Sequence, residues 1–240
     1  MPPEILHLNS NEFRLPEKLR ALVIGGSESG KTHFMLQLLR FRNRVCGSHY
    51  SKFVYCSPNF KNVHDEEELK DEITQLASPA PVEFFDHIPT VDELQELVEP
   101  TKSFRMLIFI DDFSGLIYRS TSVLQMVIRL SSKEAIDLIL SCHIALGNKL
   151  GPNYQIILNS INTCIFLRSL SNMTALKYIG QNYFPSNPNH LQNCLKAASQ
   201  YQEGRYSYII LKKKRDEIAM ISSNIFPIND EKPPIYFKNP

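Results

Sequence analysis

Residues 25–32 read GGSESGKT, and this stretch could do chemistry because it can hold a phosphate chain. It fits the pattern G-x-x-x-x-G-K-[ST], follows a strand-like run and opens a helix-like one. Glycines let successive N–H groups turn toward an anion, and the helix N-terminus adds positive charge. Lys31 would contact the β- and γ-phosphates, and the Thr32 hydroxyl would bind Mg²⁺. The residues predicted to bind ATP are Gly25, Gly26, Ser27, Glu28, Ser29, Gly30, Lys31, Thr32 and His33.

Asp111 and Asp112 form a second candidate group, directly after the apolar run MLIFI. A buried strand that ends in two carboxylates is the Walker B pattern, and open parallel sheets bind ligands at the carboxyl ends of their strands. We expect Asp111 to hold Mg²⁺, directly or through water. We expect Asp112 to orient or deprotonate the attacking water. An ordinary acidic turn is the alternative.

Ser141 and His143 form a third candidate group, at the end of the run DLILSCH. The strand after Walker B commonly carries a polar residue that contacts the γ-phosphate and reports hydrolysis. Either residue could do so, and a capping serine with a surface histidine is an equally good interpretation. A zinc site at Cys142 and His143 is disfavoured because no partner ligands are spaced nearby.

Alternating strands and helices must position these groups. Continuous apolar runs indicate strands covered on both faces, and their alternation with helical patterns predicts a three-layer α/β P-loop NTPase with a mainly parallel central sheet. The predicted strands are 20–25, 52–57, 82–87, 105–111, 137–142, 163–168, 206–211 and 217–222. The predicted helices are 31–44, 64–77, 90–98, 120–130, 172–183 and 188–199.

The C-terminal part of the chain has a different pattern. The last two predicted strands flank KKKRDE with no helix between them, which predicts a C-terminal β-hairpin. Residues 227–240 are proline-rich and polar, so we predict an extended or disordered tail. We find no linker and therefore predict one ATPase domain over residues 1–226.

Composition narrows the functional class. The 240 residues are 43% hydrophobic, which is enough for one buried core. With 26 basic and 25 acidic residues, a globally basic nucleic-acid coat is excluded, whereas a local basic face is not. Five cysteines without a CxxC pair indicate reduced thiols in an intracellular protein. We also expect no signal peptide and no membrane span, which would need roughly 18 apolar residues.

Five motifs occur in the order ALVIGGSESGKTHFMLQLL, KFVYCSPN, MLIFIDDF, IDLILSCH and IILNSINTCIFLRS. Two strand-like runs between the phosphate loop and Walker B favour ATPases with an extra strand over small-molecule kinases. The chain resembles the DNA-packaging ATPases of large DNA viruses and Maverick/Polinton elements, the poxvirus-type branch of the FtsK/HerA superfamily. The resemblance covers roughly residues 19 to 226.

The resemblance implies an ATP-hydrolysing motor that translocates double-stranded DNA into a viral capsid. It implies a homo-oligomeric ring, a pentamer or hexamer, with a capsid vertex or portal component as partner, and an intracellular place at the virion assembly site of an infected host cell. Carried over by position, the residues that bind ATP and Mg²⁺ are Gly25, Gly30, Lys31 and Thr32, with Asp111 and Asp112 at Walker B. Ser141 and His143 lie at the sensor position, and Asn159 lies in the segment beyond it.

The chain departs from these relatives at the expected arginines. Relatives often carry Arg-His before the sensor strand and glutamine at its tip, where this chain has Lys133-Glu134 and Cys142 or His143. They also tend to carry an arginine where this chain reads QIILNS. The arginine that a neighbouring subunit would contribute is therefore open. Arg129 is included among the predicted catalytic residues, with Arg119, Arg168 and Lys133 as other candidates and surface roles as the alternative.

Two basic clusters are candidates for DNA contact, RFRNR at 40–44 and KKKR at 212–215. Basic side chains can contact phosphates without reading sequence. The alternatives are helix C-terminal charge for the first cluster, and a solvated turn or a nuclear-localisation tract for the second. Three other functions also stay open: a P-loop helicase or replication ATPase, a nucleotide or nucleoside kinase, and a non-catalytic scaffold.

Overall fold

A mixed sheet of ten strands forms the centre of the described part of the chain. The computed structural model describes residues 3–7, 13–46, 49–61, 65–98, 104–113, 116–130, 136–143, 153–168, 170–202, 207–214, 217–226 and 234–239. The strand order is β1-β10-β9-β8-β7-β2-β6-β5-β3-β4. The strands are β1 (Ile5–His7), β2 (Arg20–Ile24), β3 (Lys52–Cys56), β4 (Val82–Phe85), β5 (Met106–Ile110), β6 (Ile136–Cys142), β7 (Thr163–Leu167), β8 (Tyr208–Lys214), β9 (Glu217–Ser223) and β10 (Ile235–Phe237).

Helices cover both faces of this sheet. Residues of α1 and α3 pack on one face, and residues of α4 to α8 pack on the other. The helices are α1 (Lys31–Arg40), α2 (Arg42–Val45), α3 (Asp65–Ala77), α4 (Val91–Glu96), α5 (Thr121–Gln125), α6 (Tyr154–Ser160), α7 (Leu170–Tyr183) and α8 (His190–Gln202). A short 3₁₀ helix spans Pro58–Lys61, and α5 continues as a π-helical turn over Met126–Leu130. None of the helices in the described ranges is long and apolar enough to cross a membrane.

The parallel part of the sheet positions the candidate site. Strands β4, β3, β5, β6, β2 and β7 run parallel, so their carboxyl ends lie at one edge. Strands β5 and β6 are buried along their whole length, and the continuous apolar sequence of β5 predicts this burial. Strands β8 and β9 form the antiparallel C-terminal hairpin. The predicted three-layer α/β architecture, with its mainly parallel sheet and C-terminal hairpin, is confirmed.

The two strands at one end of the sheet differ from the sequence interpretation. β10 pairs with β9 and β1, and Ile235 and Phe237 are buried. The sheet therefore extends past the predicted boundary at residue 226, because β10 forms a short strand between β9 and the edge strand β1, with two of its three side chains buried. Residues 227–233 and 240 of the predicted tail lie outside the described residues. Helix α6 was also not predicted, and the helix predicted over 31–44 is divided at Phe41.

Candidate functional site

The phosphate loop joins β2 to α1 and has the backbone of an anion-binding turn. Glu28 and Gly30 take left-handed backbone angles, with φ of 57° and 92°. A Cβ at Gly25 would lie 2.0 Å from Ser29 Oγ and 3.2 Å from Leu167 Cβ, so a larger residue there would displace neighbouring side chains. Gly30 begins α1 without a side-chain cap, which leaves the first N–H groups of the helix for a ligand. This loop therefore has the shape that phosphate binding requires.

Lys31 lies folded against the same loop. Its Nζ donates to the carbonyl oxygens of Gly25 and Gly26, each at 3.1 Å. The side chain is buried, and among the described residues it forms no ion pair. An ammonium group that is buried without a counterion is poised to bind an anion. Around the loop, the exposed members of the predicted set are Ser27, Glu28 and His33.

Asp111 lies beside the start of α1, where the structure brings the two motifs together. Its Oδ2 accepts a hydrogen bond from Thr32 Oγ1 at 3.1 Å. The same oxygen accepts a second hydrogen bond from Tyr55 OH at 2.8 Å. Asp111 is only 4% exposed, and its Oδ1 has no hydrogen-bond partner among the described residues. Tyr55 was not among the predicted site residues; its only sequence signal is one phenol in the strand KFVYC, whose other residues after Lys52 are apolar.

These residues fit a divalent cation that is bound together with a nucleotide. A buried carboxylate oxygen without a partner and a neighbouring hydroxyl are the hard oxygen ligands that Mg²⁺ prefers. Within the described ranges, no group of three or more His, Cys, Asp or Glu side chains could hold a metal ion. Phosphate oxygens would therefore have to supply further ligands beside Thr32 and Asp111. Such shared coordination is usual for Mg²⁺ in nucleotide sites.

Asp112 and His143 are hydrogen-bonded to each other at the carboxyl ends of β5 and β6. The distance between Asp112 Oδ1 and His143 Nε2 is 2.6 Å. Asp112 has a φ of 60°, a left-handed conformation that aspartate tolerates and that turns the chain after β5. The two side chains keep 40% and 29% exposure. Two residues predicted for separate roles thus form one unit that reaches solvent at the edge of the sheet.

Ser141 lies deeper than His143. Its side chain is fully buried, and Oγ has no hydrogen-bond partner among the described residues. Ser141 pairs with Val23 of β2. Extending the β5–β6 register by one residue beyond Ile110 and Leu140 places it opposite Asp111. Ser141 is therefore a neighbour of the Walker B carboxylate inside the sheet, and His143 is the residue at the strand tip.

A cavity of about 710 Å³ opens beside the Asp112–His143 pair. It lies at the carboxyl ends of the parallel strands and is lined by Pro58, Asp86, His87, Ile88, Asp112, Phe113, Leu116, Arg119, Ser120 and His143. Hydrogen bonds to Asp86 and then to Glu93 raise the pKa of His87 above its ordinary value. Two hydrogen bonds from Thr90 lower the pKa of Glu93 to about 2, the larger contribution coming from the backbone N–H and the smaller from the hydroxyl. One wall of the cavity therefore carries a charged hydrogen-bonded group.

The candidate arginines lie in different parts of the structure. Arg119 lines this cavity on the same subunit as Asp112. Arg168 is exposed and directly follows β7 at the same sheet edge. Arg129 lies in the π-helical turn, but its side chain and the whole of Lys133 lie outside the described residues. Asn159 is near the C-terminus of α6, which leads into the amino end of β7, so it lies toward the opposite edge.

Both basic clusters make contacts within the chain. Arg42 donates to carbonyl oxygens at the ends of α1 and α3: Leu39 at 2.9 Å, Leu76 at 2.5 Å, Ala77 at 3.1 Å and Ser78 at 2.8 Å. Lys212 Nζ donates to Arg14 O and lies 4.0 Å from the ring centroid of Phe13. Burial lowers the pKa of Lys212 to about 8. Lys213 Nζ donates to Leu158 O at 3.4 Å. These contacts favour structural roles for Arg42, Lys212 and Lys213.

The fold and the site together define the chain as a P-loop ATPase. The family model described as "Poxvirus A32 protein" matches residues 7–146, which is more than half of the 240 residues. The chain therefore belongs to the poxvirus A32 protein family, and the predicted family resemblance is confirmed. No curated protein matches the chain.

The chain is similar to several solved structures at low identity. The genome packaging NTPase B204 of Sulfolobus turreted icosahedral virus 2, in complex with ATP-gammaS, is 14% identical with a TM-score of 0.45 over 82% of this chain and 94% of that chain. The KaiC-like protein PH0186 of Pyrococcus horikoshii OT3 is 11% identical with a TM-score of 0.42 over 98% and 100%. EccC of Thermomonospora curvata, ATPases 2 and 3 in complex with a signal sequence peptide, is 10% identical with a TM-score of 0.43 over 67% and 31%.

Proposed function

We propose that the chain is a motor that hydrolyses ATP to translocate double-stranded DNA into a viral capsid. The observation that carries the proposal is the contact between Thr32 and Asp111 beneath a complete phosphate loop, in a member of the poxvirus A32 family. The family assignment supports packaging over the helicase and kinase alternatives. The proposed partners are double-stranded DNA, further copies of the chain in a pentameric or hexameric ring, and a capsid vertex or portal component. The proposed location is the virion assembly site inside the infected cell.

In this proposal each residue of the site has a distinct task. Lys31 and the loop N–H groups would bind the phosphates, while Thr32 and Asp111 would hold Mg²⁺. Bound Mg²⁺ would neutralise phosphate charge during transfer. Asp112 orients or deprotonates the attacking water, and His143 keeps the Asp112 carboxylate in place through the 2.6 Å hydrogen bond. Ser141 lies beside Asp111 within the sheet, with a buried hydroxyl that makes no hydrogen bond to that carboxylate among the described residues.

The open cavity beside Asp112 gives a neighbouring subunit room to contribute a cation. Its lining includes the exposed edge of the Asp112–His143 pair, so a side chain entering the cavity would approach Asp112. Arg168 and Arg129 are the candidates to act on a neighbour, whereas Arg119 already lines the cavity of its own subunit. A cation at that position would stabilise charge on the transferring phosphoryl group.

The test measures ATP hydrolysis with and without double-stranded DNA, together with native mass. Lys31→Ala should abolish ATP binding. Asp112→Asn should keep ATP binding and lower hydrolysis by about 100-fold or more, since a general base contributes 10²–10⁴-fold. Asp86→Asn is the matched control, because Asp86 lines the same cavity but lies away from the phosphate loop. A monomer that DNA does not stimulate would contradict the motor; strand unwinding would indicate a helicase, and transfer to a small acceptor a kinase.

A further inference from the structure

Tyr55 donates a hydrogen bond to the Walker B carboxylate of Asp111, and neighbouring side chains restrict the position of its ring. It lies on β3, where it pairs with Phe109 of β5. The two rings stack at 5.6 Å between centroids and 25° between planes, and Phe60 lies 5.8 Å away on another side. The side chain is fully buried. Packing therefore fixes the direction of the phenolic hydroxyl.

The hydroxyl of Tyr55 contacts only one of the two carboxylate oxygens of Asp111. It donates to Oδ2 at 2.8 Å, and Thr32 Oγ1 donates to the same atom at 3.1 Å. The other oxygen, Oδ1, is buried without a hydrogen-bond partner among the described residues. A carboxylate that is anchored through one oxygen presents the other in a defined direction.

We propose that Tyr55 is a positioning residue for Asp111, and that its hydroxyl directs Oδ1 toward the divalent cation bound with ATP. The inference rests on the proposed function, because it concerns the cation of that same site. Thr32 would bind the cation through its hydroxyl oxygen while its proton stays available to Asp111 Oδ2, so Tyr55 supplies the hydrogen bond to that oxygen from a residue that does not itself bind the cation. Groups that orient metal ligands in this way typically change metal affinity 10–100-fold when removed.

The chain supplies a matched control for removing this hydroxyl. Tyr50 OH donates to Asp137 Oδ2 at 2.7 Å, so it is also a phenol hydrogen-bonded to a buried aspartate. Asp137 lies at the amino end of β6, the opposite end of the parallel strands from Asp111. Tyr50→Phe therefore removes the same kind of bond without touching the nucleotide site.

The experiment titrates Mg²⁺ into each variant in the presence of a fluorescent, non-hydrolysable ATP analogue. Tyr55→Phe should raise the half-saturating Mg²⁺ concentration about 10-fold and leave binding of the metal-free analogue unchanged. Tyr50→Phe should change neither quantity. Superimposable Mg²⁺ titrations for Tyr55→Phe and wild type would overturn the inference alone. A wild-type protein without any Mg²⁺ dependence would overturn the proposed function as well.

A second measurement does not depend on the Tyr55→Phe variant folding. The chain has no tryptophan, so its near-ultraviolet absorbance reports tyrosines. Adding Mg²⁺ to the wild-type complex with ATPγS should give a tyrosine difference spectrum, because the carboxylate that accepts the Tyr55 hydrogen bond gains a cation. Tyr50→Phe should retain that spectrum. Absence of the difference signal in the wild-type protein would also overturn the inference.

Discussion

Asp137 and Asp111 are both buried aspartates of the parallel sheet, at opposite ends of its strands. Asp137, at the amino end of β6, is 0% exposed, and Asp111, after β5, is 4% exposed. Asp137 accepts hydrogen bonds from Leu19 N at 2.7 Å and Tyr50 OH at 2.7 Å. It also forms an ion pair with Arg105, with Nη2–Oδ1 and Nε–Oδ2 distances of 3.0 and 3.2 Å. Every oxygen of Asp137 has a partner, and its charge is compensated.

Asp111 has donors but no counterion among the described residues. Two hydroxyls contact one oxygen, and the other oxygen has no partner among the described residues. Burying a charge without compensation costs free energy. A buried carboxylate without a counterion is therefore typical of a site where a ligand supplies the missing charge. The carboxylate at the amino end of the sheet is thus fully paired within the chain, whereas the one at the carboxyl end leaves an oxygen for a ligand, as the proposed function requires.

The largest effect should follow from Asp137→Asn. The amide keeps the shape of the side chain but leaves Arg105 without its carboxylate. Breaking a buried ion pair from one side typically costs 3–5 kcal/mol, so we expect a loss of about 3 kcal/mol in the free energy of unfolding, measured with urea. Asp71→Asn, at an exposed position of α3, is the control and should cost almost nothing. If Asp137→Asn unfolded at the wild-type urea concentration, the structural role of this carboxylate would be wrong.

A smaller loss of stability should follow from Arg42→Met, which removes a guanidinium group between the ends of α1 and α3. Arg42 contacts four carbonyl oxygens at the ends of α1 and α3, and charged hydrogen bonds contribute about 1.5–3 kcal/mol. We expect a loss of about 2 kcal/mol in unfolding free energy and no change in DNA affinity. Arg40→Met is the control, since Arg40 is half-exposed and has one ion pair to Glu72 at 3.9 Å. Weaker DNA binding by folded Arg42→Met would instead support the DNA contact considered from the sequence.

The elements of the parallel sheet could be predicted because each signal is local. The apolar run of β5, the GGSESGKT loop and the two aspartates after MLIFI are contiguous in the sequence, so periodicity and motif spacing locate them. Strands β1 and β10 escaped prediction because three residues carry too little pattern. The Tyr55–Asp111 and Arg105–Asp137 contacts could not be predicted. They join residues that are separated by 56 and by 32 positions in the sequence and become neighbours only through the strand order. Nothing local in the sequence encodes that order.

The most direct test of the account compares ligand stabilisation in Asp111→Asn and Asp137→Asn. A ligand at 100 times its Kd adds about 2.7 kcal/mol to the free energy of unfolding. The account predicts that Mg²⁺ added with ATPγS raises the melting temperature of wild type and Asp137→Asn by similar amounts. Asp111→Asn should be at least as stable as wild type without ligand, yet lose the Mg²⁺-dependent increment. Full retention of that increment in Asp111→Asn would contradict the assignment of this carboxylate to ligand binding.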